Sequence, residues 1–424
     1  MGNTMKKAVR PAAKKAAKKT AKKAVVRTAP KAAKAKAPRR KILIINYEFP
    51  PLGGGGGVAS NDLAVEWAKT CHVDVLTSNF KGLPSYEKVD GINIHRVKVL
   101  HRTSRDTATF LSMYSFLVFG FFKGISLIRK NRYDVMNTHF AVPCGPLGFV
   151  FSKLFGIPNV LSLHGGDIYD PSKKSSPHKS FFFRKVIRFI LDRADRVVAQ
   201  SGNTRENAIK YYHPLRPIDI VPLAFHAPKP FAKTTREKLG FGKKDFVITA
   251  IGRVVRRKAY DVLIKAVAET KDQSIRLVIV GDGPEKENLQ NLADYLGLSK
   301  RVTFTGFASD EQKHQYLSNS DLFAMTSLHE GFGIVFMEAM YFNLPIVATN
   351  CGGQTDFLIP ERNSLLLNVG DVAACAAHIS RFKSDKKLYR VCAANSRKDL
   401  SKFSADKVAG AYAELFDEII RPGR

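Results

Sequence analysis

The 424-residue chain holds 68 Lys and Arg against 37 Asp and Glu, a net charge of +31, and is 45% hydrophobic and 25% charged. Its length exceeds one ordinary domain and its composition is globular, so two α/β domains of about 180 residues each are expected. Five scattered cysteines with no CxxC pair suggest neither a disulfide framework nor a zinc site, and a reducing, cytoplasmic compartment is expected. No apolar h-region follows the basic start, so no secretory signal is expected.

Residues 1–40 contain eleven Lys and four Arg and no acidic residue, about half of the net charge in under a tenth of the length. A Lys/Ala/Pro segment with few large apolar residues cannot offset its ordering entropy and is expected to be disordered in isolation. It resembles the tails of linker histones and histone-like bacterial proteins. Nucleic acid bound by counterion release, an anionic membrane surface held by the same electrostatics, and no dedicated partner all stay open.

From Lys41 the pattern changes. Short apolar runs at 42–46, 73–77, 133–138, 159–164 and 195–201 alternate with amphipathic stretches, and a second series follows at 246–252, 276–281, 302–306, 321–327 and 345–350. Alternating strand and helix predicts parallel sheets covered on both faces, and two such series predict two doubly wound Rossmann-like domains with ligand at the carboxyl ends of the strands. A Pro- and Lys-rich linker is expected around 222–233. Ser309 and Gln312 have the spacing of a capping box. A last helix, roughly 405–419, spaces Tyr412, Leu415, Phe416 and Ile419 on one face.

Two segments raise the question of a membrane. The run 110–122, FLSMYSFLVFGFF, ends at Lys123 after thirteen residues, too short to span a bilayer. A buried helix or an interfacial patch both explain it. Residues 179–193 mix Phe and Ile with Lys and Arg, as surface-bound helices do.

The most informative stretch is 327–356, SLHEGFGIVFMEAMYFNLPIVATNCGGQTD. Glu338 sits in an apolar run from Ile334 to Met340, where an unsatisfied carboxylate costs on the order of several kcal/mol. A ribose diol would supply two hydroxyl donors to it. The free backbone N–H groups of Gly331, Phe332, Gly333 and Ile334 open a helix, a natural seat for phosphate and sugar oxygens.

Two glutamates separated by seven residues, in Glu-Gly-Phe-Gly through Glu-Ala-Met to Pro-Ile-Val-Ala-Thr, resemble the signature of glycosyltransferase family 4. The resemblance implies the type-B (GT-B) fold of two Rossmann-like domains facing a cleft, retention of anomeric configuration and no bound metal or other cofactor. It assigns the ribose to Glu338 and the transferred sugar to Glu330, and it implies an acceptor domain at 41–225, a nucleotide-sugar domain at 226–400 and a C-terminal helix at 401–424 returning toward the first domain.

Four further sites agree. Arg253 and Lys258 lie five apart in a loop after a strand, where a fixed pair of cations would carry the charge of a departing nucleoside diphosphate; the family usually has Gly where this chain has Ala259. Arg256 and Arg257 read as surface charges. The five glycines 53–57 open a helix and let backbone, at Gly54, Gly55 and Gly56, approach a diphosphate or sugar. His164 ends a strand where the family places a His against the donor sugar, and Asp167 is expected in the same pocket. Gly281 starts a Gly-Asp-Gly-Pro turn that recurs near the nucleotide, and the backbone at Phe307 lies where the family meets the base. The family often has Glu where this chain has Asp356, which leaves that contact in doubt.

The expected activity is transfer of a hexose-type sugar from a UDP- or GDP-sugar to a glycan, glycolipid or lipid-linked acceptor, in the cytoplasm or at the inner face of the membrane. Two rivals stand beside it: a sugar-nucleotide epimerase of the same architecture, and a nucleic-acid-binding protein with a degenerate enzyme body.

Overall fold

The computed structural model describes residues 39–420 save 106, 107 and 174, so the expectations for the basic tail lie outside the described residues. In the first sheet the strands are β1 (Lys41–Ile45), β2 (His72–Ser78), β3 (Tyr86–Val89), β4 (Ile92–Val97), β5 (Val135–His139), β6 (Asn159–Leu163), β7 (Arg196–Ala199) and β8 (Ile218–Ile220). The second holds β9 (Phe246–Ile251), β10 (Ile275–Val280), β11 (Val302–Gly306), β12 (Leu322–Met325), β13 (Ile346–Thr349) and β14 (Ser364–Leu367). Their orders are β3-β4-β2-β1-β5-β6-β7-β8 and β11-β10-β9-β12-β13-β14, and every pairing is parallel except the β3–β4 hairpin. These are two doubly wound Rossmann-like sheets of the GT-B kind.

The near-continuous apolar strands follow from burial on both faces. In β1, Ile42 and Ile44 enter one core cluster while Leu43 and Ile45 enter another on the opposite face. Strand order reverses beside β1 in the first sheet and beside β9 in the second, and such switch points open a crevice at the carboxyl ends of the strands.

The helix at Ala405–Ile419 returns to the first sheet. Tyr412 and Phe416 pack on Trp67 at 5.7 and 5.2 Å between ring centroids, and the Tyr412 hydroxyl lies 2.8 Å from Ser162 Oγ. The chain therefore crosses between the halves twice, and the crossings pair where Phe225 N donates to Phe403 O at 2.8 Å.

The apolar run at 110–122 is the first part of a longer helix, Phe110–Asn131, started by a Thr109/Ser112 capping box. By length and composition it is able to cross a membrane, but Phe116, Gly120, Gly124 and Leu127 are buried against the domain. A buried helix accounts for only one of its faces: Phe110, Tyr114 and Phe122 are 62%, 65% and 66% exposed.

Candidate active site

The cleft between the two sheets has a volume of about 500 Å³ and collects residues from both. From the first half come the Gly53–Gly56 loop after β1 and His164 after β6; from the second come Arg253 and Lys258 after β9, Gly281 after β10, Phe307 after β11, and Glu330–Val335 with Glu338 after β12.

Glu330 is 6% exposed. Its Oε1 accepts from Lys258 Nζ at 2.6 Å and Ser327 Oγ at 2.7 Å, and its Oε2 lies 3.2 Å from Arg257 NH1. Burial alone would raise its carboxyl, but Lys258 and Arg257 outweigh burial and hold it well below the usual carboxylate range. Burial in turn depresses the Lys258 ammonium, against which Glu330 pulls upward. The Lys258 stem passes Gly252, where a Cβ would stand 3.0 Å from Lys258 Cε. Arg253 is exposed at the cleft wall.

Arg257 corrects the expectation of a surface charge. It also approaches Asp170 at 3.9 Å and donates to the His329 carbonyl, so it braces the Glu330 loop from behind. Arg256 stays exposed.

Glu338 lies in the helix Ile334–Tyr341, 8% exposed. Its Oε1 accepts from Lys313 Nζ at 2.5 Å, while its buried Oε2 has no hydrogen-bond partner. Burial raises its carboxyl, with Lys313 opposing. Lys313 was not singled out from the sequence; it stands in the helix Asp310–Ser318, which begins with the expected Ser309/Gln312 capping box.

On the facing wall, the helix Gly55–Ala68 starts in the glycine loop. A Cβ on Gly56 would meet Phe140 Cζ at 2.8 Å and His164 Nδ1 at 3.0 Å, and one on Gly57 would meet Glu48 O at 2.9 Å. A Cβ on Gly53, which also has φ +89°, would stand 2.5 Å from Glu48 Cβ, so three of the five glycines are demanded by close approach, whereas Gly54 faces open space. His164 Nε2 is 2.8 Å from Nδ1 of His139, a residue the sequence reading passed over, and its own Nδ1 is buried without a partner beside the loop. Burial lowers both imidazoles, His164 to about 4, so both are neutral near pH 7.

Two expected donor contacts are placed elsewhere. Asp167 sits behind the cleft and accepts from the backbone N–H of Ala141 (2.7 Å) and His164 (2.9 Å), so it fixes the His164 turn. Phe332 lines the cleft through its backbone, as expected, while its ring, 2% exposed, packs on Phe357 at 5.0 Å. Asp356 accepts from Gly202 N at 2.7 Å at the start of the helix Gly202–Tyr212, a link between the halves outside the cleft lining. The remaining expected positions, Gly55, Gly281, Phe307, Gly331, Gly333 and Ile334, line the cleft, with Phe307 80% exposed at its rim.

Residues 53–226 match the Glycosyltransferase Family 4 model and residues 231–399 the model for Glycosyl transferases group 1. The chain belongs to this glycosyltransferase family. It is 25% identical over 396 residues to an uncharacterised glycosyltransferase of Methanocaldococcus jannaschii, covering 89% of this chain and 97% of the relative. It is 34% identical over 203 residues to the lipopolysaccharide core biosynthesis glycosyltransferase LpsD of Rhizobium meliloti, covering 48% of this chain and 58% of the relative. Among solved structures, Anabaena HepE in complex with UDP-glucose superposes with a TM-score of 0.71 at 22% identity, covering 89% of this chain and all of that one.

Proposed function

We propose that the protein is a retaining glycosyltransferase that moves a hexose-type sugar from a UDP- or GDP-sugar to a glycan, glycolipid or lipid-linked acceptor in cell-surface polysaccharide or glycolipid synthesis. One observation carries the reading. Two buried carboxylates share one cleft, Glu330 saturated by cations and hydroxyl, Glu338 with an oxygen left open to donors. The names of LpsD and of HepE with UDP-glucose support the acceptor class and a nucleotide-sugar donor.

In this reading Glu338 Oε2 accepts from the ribose hydroxyls, and the diphosphate lies over the helix start at Gly333–Ile334 with Arg253 and Lys258 beside it. Glu330 and the neutral His164 contact the transferred sugar, and the acceptor enters from the first domain. The acceptor hydroxyl attacks the anomeric carbon on the face the diphosphate leaves. The bond to the diphosphate oxygen breaks, the new glycosidic bond forms, and the acceptor's proton passes to a phosphate oxygen. The leaving charge is neutralised by Arg253 and Lys258, and no metal takes part.

A calorimetric screen against UDP, GDP, ADP and their sugars tests the donor, followed by NMR of the product's anomeric configuration. One nucleotide diphosphate binding well above the others, with retention in the product, is expected. An inverted product, or no nucleotide binding at all, overturns the proposal.

A further inference from the structure

We propose that the outer face of three adjacent helices in the first domain is a docking surface for an anionic lipid bilayer. The helices Phe110–Asn131, Gly145–Phe155 and Phe181–Leu191 lie side by side over one face of the first sheet. Phe121 stacks on Phe151 at 6.1 Å between the first two, and Phe149 meets Phe189 at 5.0 Å between the second and third.

The solvent side of this layer is unlike the rest of the surface. Ten of the 22 exposed large hydrophobic residues among the described residues stand on these three helices, with Phe122, Phe181 and Phe182 66%, 65% and 69% exposed. The same helices carry seven Lys and Arg and no acidic residue. A helix that merely faces water interleaves both signs of charge and few large apolar groups. Apolar side chains among unopposed cations match a bilayer interface with anionic headgroups: rings enter the acyl boundary and cations meet phosphate. The cations also argue against a second copy of this chain, whose matching face would bring like charges together. Arg193 over Phe189 at 3.8 Å and Lys185 over Phe181 at 4.5 Å keep charge and ring at one level.

Placement adds a consequence. In a parallel sheet the connecting helices start at the carboxyl ends of the strands, the end where the cleft opens. Phe110, Leu111 and Tyr114 and the pair Phe181 and Phe182 belong to the first two turns of their helices, so this part of the greasy face lies at the cleft end of the sheet, while Phe119 and Phe122 continue it along the helix. Resting on the glycosyltransferase reading, this makes a membrane-resident acceptor the class that reaches the site; the docking itself needs no activity.

Flotation of the full chain with phosphatidylcholine vesicles, with and without phosphatidylglycerol, tests the surface. The basic tail also favours anions, so binding is compared at low salt and at about 0.5 M salt, where charge attraction is screened beyond a few ångströms. Binding to the anionic vesicles that persists in part at high salt is expected. F122S and F182S, both at exposed positions, should each weaken that residual binding about tenfold without lowering Tm. F182W should shift its emission to the blue on vesicles and be quenched by brominated lipid, while Trp67 stays buried on the opposite face of the sheet. Unchanged binding in F122S and F182S would show that the tail alone makes the contact and overturn the proposal. So would self-association that the Ser variants abolish, without vesicle binding.

Discussion

Lys258 Nζ lies 2.6 Å from Glu330 Oε1, and the two side chains are only 9% and 7% exposed. Arg257, half-buried, closes on the other carboxylate oxygen and also approaches Asp170 at 3.9 Å, so two cations and two carboxylates balance in this cluster. Toward the cleft, the exposed Arg253 adds a further positive charge beside Lys258. The arrangement is a preformed seat for an anion, since the cations are already oriented and need no reorganisation when negative charge develops.

Truncating Arg253 separates catalysis from folding. Arg253 is exposed, so Arg253→Ala should alter stability by no more than about 0.5 kcal/mol while lowering kcat by roughly a hundredfold. Lys258→Ala should show a comparable catalytic loss together with a lower Tm, because it removes one partner of a buried pair. Steady-state kinetics and thermal melts of both variants check this; near-normal turnover in Arg253→Ala and Lys258→Ala ends the clamp assignment.

Glu338 offers a test on the ligand side. If its open oxygen accepts from the ribose, a 2′,3′-dideoxy nucleoside diphosphate should bind wild-type protein about ten- to a hundredfold more weakly than its ribose counterpart. In Glu338→Gln the difference between the two ligands should shrink. Titration calorimetry reads both numbers, and equal affinity of the wild-type protein for the two ligands removes the ribose from this site.

The sequence reveals the fold and the cleft in unequal measure. Ten strands are visible because burial on both faces makes them continuous apolar runs. The β3–β4 hairpin is not, since β3 is nearly all exposed and reads Tyr-Glu-Lys-Val. At the site, Glu330, Glu338, Lys258 and the glycines stand out through spacing and through a carboxylate in apolar company. Arg257 and Lys313 do not: their burial is created by carboxylates 73 and 25 positions away that local sequence cannot place. Asp167 shows the converse. It lies next to Gly166 of the cleft lining in the chain, yet its carboxylate turns behind the cleft to accept from the backbone N–H groups of Ala141 and His164.

The neutral histidine pair predicts an acid limb. Burial depresses His139 and His164, so the stability linked to them is fully present above the unfolded imidazole value near 6.5 and is lost as pH falls toward about 4. Asp167, raised by burial to about 6, acts in the opposite sense: its contribution is present below about 4 and fades as pH rises through 6. With two imidazoles against one carboxyl, Tm should fall between pH 6.5 and 4.5. His139→Gln should flatten that fall, and an acid limb identical to wild type would count against the pair.

Ala259 is the sharpest departure from the family pattern, and it is a strained one. It has φ 45° and ψ 43°, left-handed geometry, at the junction between the Lys258 turn and the helix Tyr260–Glu269. A Cβ in that region crowds the following carbonyl and costs roughly 1–2 kcal/mol, whereas glycine adopts it freely but loses more backbone entropy on folding. Relief of strain is the larger effect, so Ala259→Gly should stabilise the protein by about 0.5–1 kcal/mol. The turn is also fixed by Thr326 Oγ1, which donates to the Ala259 carbonyl at 2.8 Å and needs no side chain at 259. Lys258 should therefore keep its place and kcat should stay close to wild type. Thermal melts beside steady-state kinetics test both halves; a lower Tm in Ala259→Gly would mean that the Ala259 methyl contributes packing worth more than the strain it creates.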